Sequence, residues 1–147
     1  MAIIDKSKKR FVEDRDKRVS IGIDWPLRLS SASGSGYFAQ TSTTIDAIKN
    51  NIRTLLKTQQ GERFLQPEIG LNLKKFLFEQ ITKDTRLAME TDIISTFSKW
   101  MPFVDVQDID IDIMESNSSG NKIAINVVFY IHKDPNSLSS VQVELGE

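Results

Sequence analysis

Apolar residues recur at helical spacing from Thr43 to Met101 and at every second position beyond it. Ile45, Ile48, Ile52, Leu55 and Leu56 share one face of a helix. Thr43, three residues before Asp46, gives that helix a capping-box-like start, and Gly61 supplies its stop. The spacing predicts a short second helix from about Leu71 to Glu79, burying Leu73, Phe76 and Leu77. A third helix is expected from about Asp84 to Met101, with Leu87, Ile94, Phe97 and Met101 as its buried stripe and Ile93 and Trp100 widening it. Pro102 ends it. Ile109, Ile111 and Ile113 then alternate with Asp108, Asp110 and Asp112. Ile123, Ile125, Val127, Phe129 and Ile131 alternate again after a turn at residues 116–121 (SNSSGN), so the two runs read as a β-hairpin. Val141, Val143 and Leu145 suggest a third strand after a turn at Asp134-Pro135-Asn136. The expected fold class is α+β, with three N-terminal helices packed on a small antiparallel C-terminal sheet.

Upstream of the first helix the pattern is weaker. Ile21, Ile23 and Trp25 alternate with Gly22 and Asp24 as a short strand that Pro26 ends. Ser30 to Gly36 is a Ser/Gly loop, and Tyr37-Phe38-Ala39 a second short extended piece. Residues 1–19 are mostly charged and are expected to be a flexible tail that orders on a partner; residues 20–147 are expected to form one domain.

Composition narrows the chemistry. The chain has 147 residues, 39% hydrophobic and 27% charged, which suits a single globular domain with its own core. There is no cysteine and one histidine, His132, so thiolate chemistry is excluded and a zinc site is not expected. No apolar run approaches the ~18–20 residues of a membrane span, and the charged start is not that of an export signal. The net charge of −1 hides an asymmetry between a basic first segment and an acidic last third. Basic residues near the start alternate with acids and lack an aromatic ladder, which argues against nucleic-acid binding and for protein partners.

Several residues invite chemical readings. Asp108-x-Asp110-x-Asp112 resembles the opening of a calcium loop, but Ile113 replaces the required glycine and Ser119 the closing glutamate. Alternation with isoleucine instead gives a strand with one acidic face, turned to solvent or to a basic partner. Asn117-Ser118-Ser119 matches a glycosylation pattern by chance, and His132 reads as a strand-end surface residue. Lys49, Arg53 and Lys57 line one flank of the first helix, as a solvated face or a docking stripe for an acidic neighbour. No cofactor is expected.

The most informative stretch is Gly61-Glu62-Arg63-Phe64-Leu65-Gln66-Pro67-Glu68-Ile69-Gly70, followed by Leu77-Phe78-Glu79. Together with Ile23-Asp24-Trp25-Pro26-Leu27 and the helix Ile45 to Lys57, it resembles the baseplate wedge and sheath-initiator family of contractile phage tails. That family includes the matching subunit of type VI secretion baseplates. The resemblance covers roughly residues 20–131. It implies a structural protein without catalytic residues, located in the virion tail baseplate and assembled in the host cytoplasm. Its implied partners are the helical core bundle of the wedge, the tail sheath protein and the tail tube, with no nucleic acid or membrane. It further implies that the sheet receives extended arms of sheath subunits by strand addition. Val127 and Phe129 would report on that addition if their strand is the exposed edge.

On the same grounds Glu62 and Arg63 either lock the turn inside the fold or face a wedge partner. Pro67 and Gly70 fix the kink between helices, and Phe78 closes the motif. Where the family carries Glu-Pro-Arg after its third helix, this chain reads Met101-Pro102-Phe103, so anchoring there would be apolar rather than ionic. The competing reading is a lysozyme-like glycoside hydrolase. It needs two carboxyl groups beside a sugar site, one of them raised in pKa by an apolar pocket, and Glu62, Glu68 and Glu79 are its candidates.

Overall fold

The computed structural model describes residues 19–30, 36–79, 82–116, 120–132 and 134–145. Residues 1–18 of the expected tail at 1–19, most of the Ser/Gly loop and Asn117-Ser118-Ser119 lie outside them. Contacts divide the chain into two compact units, Met1–Asn51 and Ile52–Glu147.

The N-terminal unit holds two short strands, β1 (Gly22–Ile23) and β2 (Gln40–Thr41), paired antiparallel, and the first turns of helix α1 (Thr44–Lys57). The Thr43 hydroxyl donates to the Asp46 carboxylate at 2.5 Å and accepts the Asp46 N–H at 3.3 Å, so the cap forms where its spacing placed it.

The C-terminal unit contains the rest of α1, then α2 (Leu73–Phe76), α3 (Lys83–Trp100) and the strands β3 (Val104–Ser116), β4 (Gly120–Ile131) and β5 (Asp134–Leu145). The sheet order is β3-β4-β5, antiparallel throughout, with β4 in the centre. α2 touches α3, and α3 touches β3. Ile52, Leu56, Leu73, Met89, Ile93, Phe97 and the inward residues of β4 are all but sealed from solvent. Each such side chain contributes about 1.5–3 kcal/mol by burial.

This arrangement corrects the expected one. The helices occupy the middle of the chain, after a two-stranded element, and are not three N-terminal helices. The second is a single turn. Beyond Phe76 the backbone bonds tighten, with the N–H groups of Leu77, Phe78 and Glu79 donating three residues back at 3.2–3.4 Å. The stripe of α3 is also corrected. Met89, Ile93 and Phe97 face the core at four-residue spacing, whereas Leu87 and Ile94 are exposed. The helix carries apolar residues on two flanks, and periodicity alone does not say which flank the rest of the fold covers.

A register shift at Val106/Asp108 leaves Gln107 without a cross-strand partner. The extra residue restores phase: Val104 before it and Ile111 after it are both buried, while Asp108, Asp110 and Asp112 all point to solvent. The turn expected at Asp134-Pro135-Asn136 lies earlier, and Asp134 already opposes Ile131 in the β4–β5 ladder.

Candidate docking surfaces

The loop after α1 is built by its two glycines. Gly61 has φ +94° and donates its N–H to the Pro67 carbonyl at 2.8 Å, which closes the neck of a loop. Gly70 has φ +113°, and a Cβ there would lie 2.3 Å from the Thr58 carbonyl oxygen. Only glycine fits that approach, and it lets Leu71 N–H donate to Thr58 at 3.0 Å. Glu62, though exposed, folds back on its own turn: its carboxylate accepts the Gln59 N–H at 2.9 Å and lies 4.0 Å from Lys74 Nζ. It therefore serves the turn, while Arg63 is exposed. Pro67 is exposed and contributes its carbonyl to the neck.

The result is a braced loop with an apolar tip. Phe64 is 97% exposed and Leu65 89%, and Phe78, after α2, is 90% exposed. Sequence reasoning gave roles to the charged and kinked positions and quoted Phe64 and Leu65 only as part of the motif. Their signal was two large apolar residues between a helix stop and a proline.

Of the corner residues, Met101 is buried and unavailable to a partner, Pro102 is exposed and Phe103 is about half exposed. Val104 N–H donates to Met101 O at 2.9 Å, and His132 N–H to Phe103 O at 3.1 Å. His132 Nδ1 also lies 2.5 Å from an Asp105 oxygen. Asp105 opposes Tyr130 across the ladder, and its charge pushes the Tyr130 phenol up.

Val127 and Phe129 are corrected outright. Both sit on β4, the central strand, with fully buried side chains, so neither presents a free edge. Among the described residues the outer strands are β3 and β5, and they differ chemically. β3 carries Asp105, Asp108, Asp110 and Asp112 and is bulged at Gln107. β5 from Leu138 to Leu145 has one charge, Glu144, and pairs with β4 in unbroken register from Phe129↔Ser139 to Ile123↔Leu145.

The hydrolase candidates do not converge on suitable chemistry. Glu62, Glu68 and Glu79 are all exposed. Glu68 lines a polar groove of about 350 Å³ with Gln60, Asn72, Lys75, Asp92, Lys99 and Trp100. The Lys99 ammonium bonds it at 2.8 Å and holds its carboxyl below the usual range. A general acid needs the opposite shift. Asp92 in the same groove lies 3.5 Å from Lys75. Among the described residues no cluster of His, Asp and Glu could hold a metal ion.

The sequence profile of the family described as baseplate wedge protein gp25 matches residues 42–136. The chain belongs to the gp25 baseplate wedge family. It is 23% identical over 124 residues to baseplate wedge protein gp25 of enterobacteria phage T4, covering 84% of each chain. The gp25 fold recurs in solved structures. A Geobacter sulfurreducens protein described as a tail lysozyme aligns with a TM-score of 0.61 at 19% identity, over 72% of this chain and 93% of that one. A chain of the anti-feeding prophage baseplate aligns with a TM-score of 0.61 at 21% identity, over 75% of this chain and 83% of that one. Residues 42–136 include the closed loop and the whole of β3 and β4.

Proposed function

We propose that this chain is a structural, non-catalytic subunit of a contractile-tail baseplate, anchored to the wedge core and receiving the first sheath strands on β5. In the anti-feeding prophage structure a chain of this fold is part of a baseplate. The observation that carries the reading is the contrast between the two sheet edges. Charges and bulges on an outer strand discourage pairing, and β3 has both. The register of β5 shifts between Phe129 and Ile131, but along Ser139 to Val143 it has neither charge nor bulge. A strand adding there would gain backbone hydrogen bonds, with alternate side chains meeting Val141, Val143 and Leu145 on one face and Ser140, Gln142 and Glu144 on the other. The loop tip Phe64-Leu65, with Arg63 beside it, and the exposed Phe103 supply apolar anchors for the wedge.

Assembly in the host cytoplasm and residence in the virion baseplate follow from this role. A glycosidase role finds no support at Glu68, whose charge is stabilised rather than suppressed.

Hydrogen exchange tests the edge assignment. Addition of purified sheath subunit should slow exchange at Ser139 to Val143 and leave Asp105 to Asp112 unchanged. Protection of β3 instead would reverse the edges, and protection of neither would remove strand addition from the function. Sheath polymerisation seen by electron microscopy should start from baseplates only when the chain is present.

A further inference from the structure

The motif Ile23-Asp24-Trp25-Pro26-Leu27 lies in the N-terminal unit and has no part in the surfaces above. Ile23 pairs with Gln40, and Leu29 bridges Phe38, so the stretch from Asp24 to Arg28 faces Ala39 alone. That stretch is a bulge with a closed neck. Asp24 N–H donates to the Ala39 carbonyl at 2.9 Å, and Ala39 N–H donates to the Arg28 carbonyl at 2.8 Å. The Arg28 guanidinium pairs with the Asp24 carboxylate across the neck. Asp24 also accepts the Trp25 N–H at 3.0 Å. Asn50 on α1 reaches the same carboxylate at 3.5 Å and the Ile23 carbonyl at 3.3 Å. The Arg28 hydrogen bond, aided by Asn50, keeps the Asp24 carboxyl below its usual range.

The charges of the bulge are thus turned on each other, while its apex is apolar. Trp25 is 41% exposed and Leu27 53%, with exposed Pro26 between them. We propose that Trp25-Pro26-Leu27 is a docking knob that inserts into an uncharged apolar pocket on a neighbouring protein chain of the baseplate wedge. This inference rests on the baseplate reading above. Tryptophan is the residue type most enriched among those that dominate protein interfaces. A knob already closed at its neck loses little conformational freedom on binding. Because Asp24 and Arg28 neutralise one another, the pocket needs no compensating charge, and binding should be nearly independent of ionic strength.

The test uses the full chain and the purified neighbouring wedge proteins of the same particle. Trp25→Ala with Leu27→Ala should weaken association at least tenfold, at low and high salt alike, and leave the thermal unfolding midpoint within a few degrees. Asp24→Ala keeps the apolar apex but opens the neck, and should give a smaller loss. A photo-crosslinking residue at position 25 should join the chain to a wedge protein. Unimpaired association of the double variant overturns the knob while leaving the baseplate reading intact. Crosslinks confined to a second copy of this chain, or binding lost by added salt, also overturn it. Failure of the unaltered chain to join wedges at all overturns both readings.

Discussion

Replacing Gly70 with alanine separates two costs that glycine avoids. Gly61 and Gly70 both have positive φ, +94° and +113°. An alanine at either position therefore meets backbone strain of about 1–2 kcal/mol. At Gly61 nothing lies within 4 Å of the new Cβ, so strain is the whole effect. At Gly70 the Cβ lies 2.3 Å from the Thr58 carbonyl oxygen and 3.1 Å from the Gln59 carbonyl carbon. Backbone has to move. The movement breaks the bond from Leu71 N–H to Thr58, worth about 1 kcal/mol. It also disturbs Leu71 and Leu73, both buried. Gly70→Ala should therefore cost about 3–5 kcal/mol, against about 1–2 for Gly61→Ala. For a chain of this length, about 3 °C of midpoint accompanies each kcal/mol, so the expected drops are about 9–15 °C and about 3–6 °C. Urea and thermal unfolding followed by circular dichroism measure both. Equal losses at the two glycines would refute the close-approach argument and reduce the loop to ordinary turn chemistry.

Phe129→Ala, on the buried central strand, should cost about 3–5 kcal/mol, whereas Phe64→Ala and Phe78→Ala should change stability by less than ~0.5 kcal/mol; denaturant melts decide, and a large loss at Phe64 would contradict its exposure. Lys99→Met should return the Glu68 carboxyl toward its usual 4.5, read by NMR titration. Because the folded-state value is depressed, the stabilisation from this pair is full above that usual value and disappears as pH falls through the folded value; an unchanged Glu68 titration would defeat the assignment. Ser140→Lys with Gln142→Lys should give β5 the charge that protects β3 and reduce sheath nucleation without lowering monomer stability; normal nucleation would count against β5 as the receiving edge.

What the sequence made legible depended on whether a residue's fate is local. The α1 cap at Thr43 and Asp46 formed as read, because both partners lie within one turn. The alternation of Ile109 and Ile111 with three aspartates gave the acidic face correctly. Met89 was passed over and Leu87 preferred because both fit a helical period, and only the tertiary neighbours of α3 choose between them. Val127 and Phe129 misled for a related reason. A strand's apolar alternation says that it is half-buried, not whether strands lie on both sides of it. Pairing order is a non-local property, and it places β4 between the two outer strands, β3 and β5. At the loop, the glycines and proline were legible as backbone requirements. The exposure of Phe64 and Leu65 was not, because apolar character alone predicts burial.

The column of aspartates on β3 also governs how copies of this chain meet before they have a partner. Two molecules approaching β3 to β3 would bring their carboxylate columns side by side, and like charges on adjacent strands oppose pairing. Protonation or dense counterions would lift that restraint. From Leu138 to Val143 β5 has no such column, so under the proposed function the sheet would resist extension on one side and accept it on the other. On that proposal, a piece with such one-sided chemistry would start a polymer without becoming a link in an endless one.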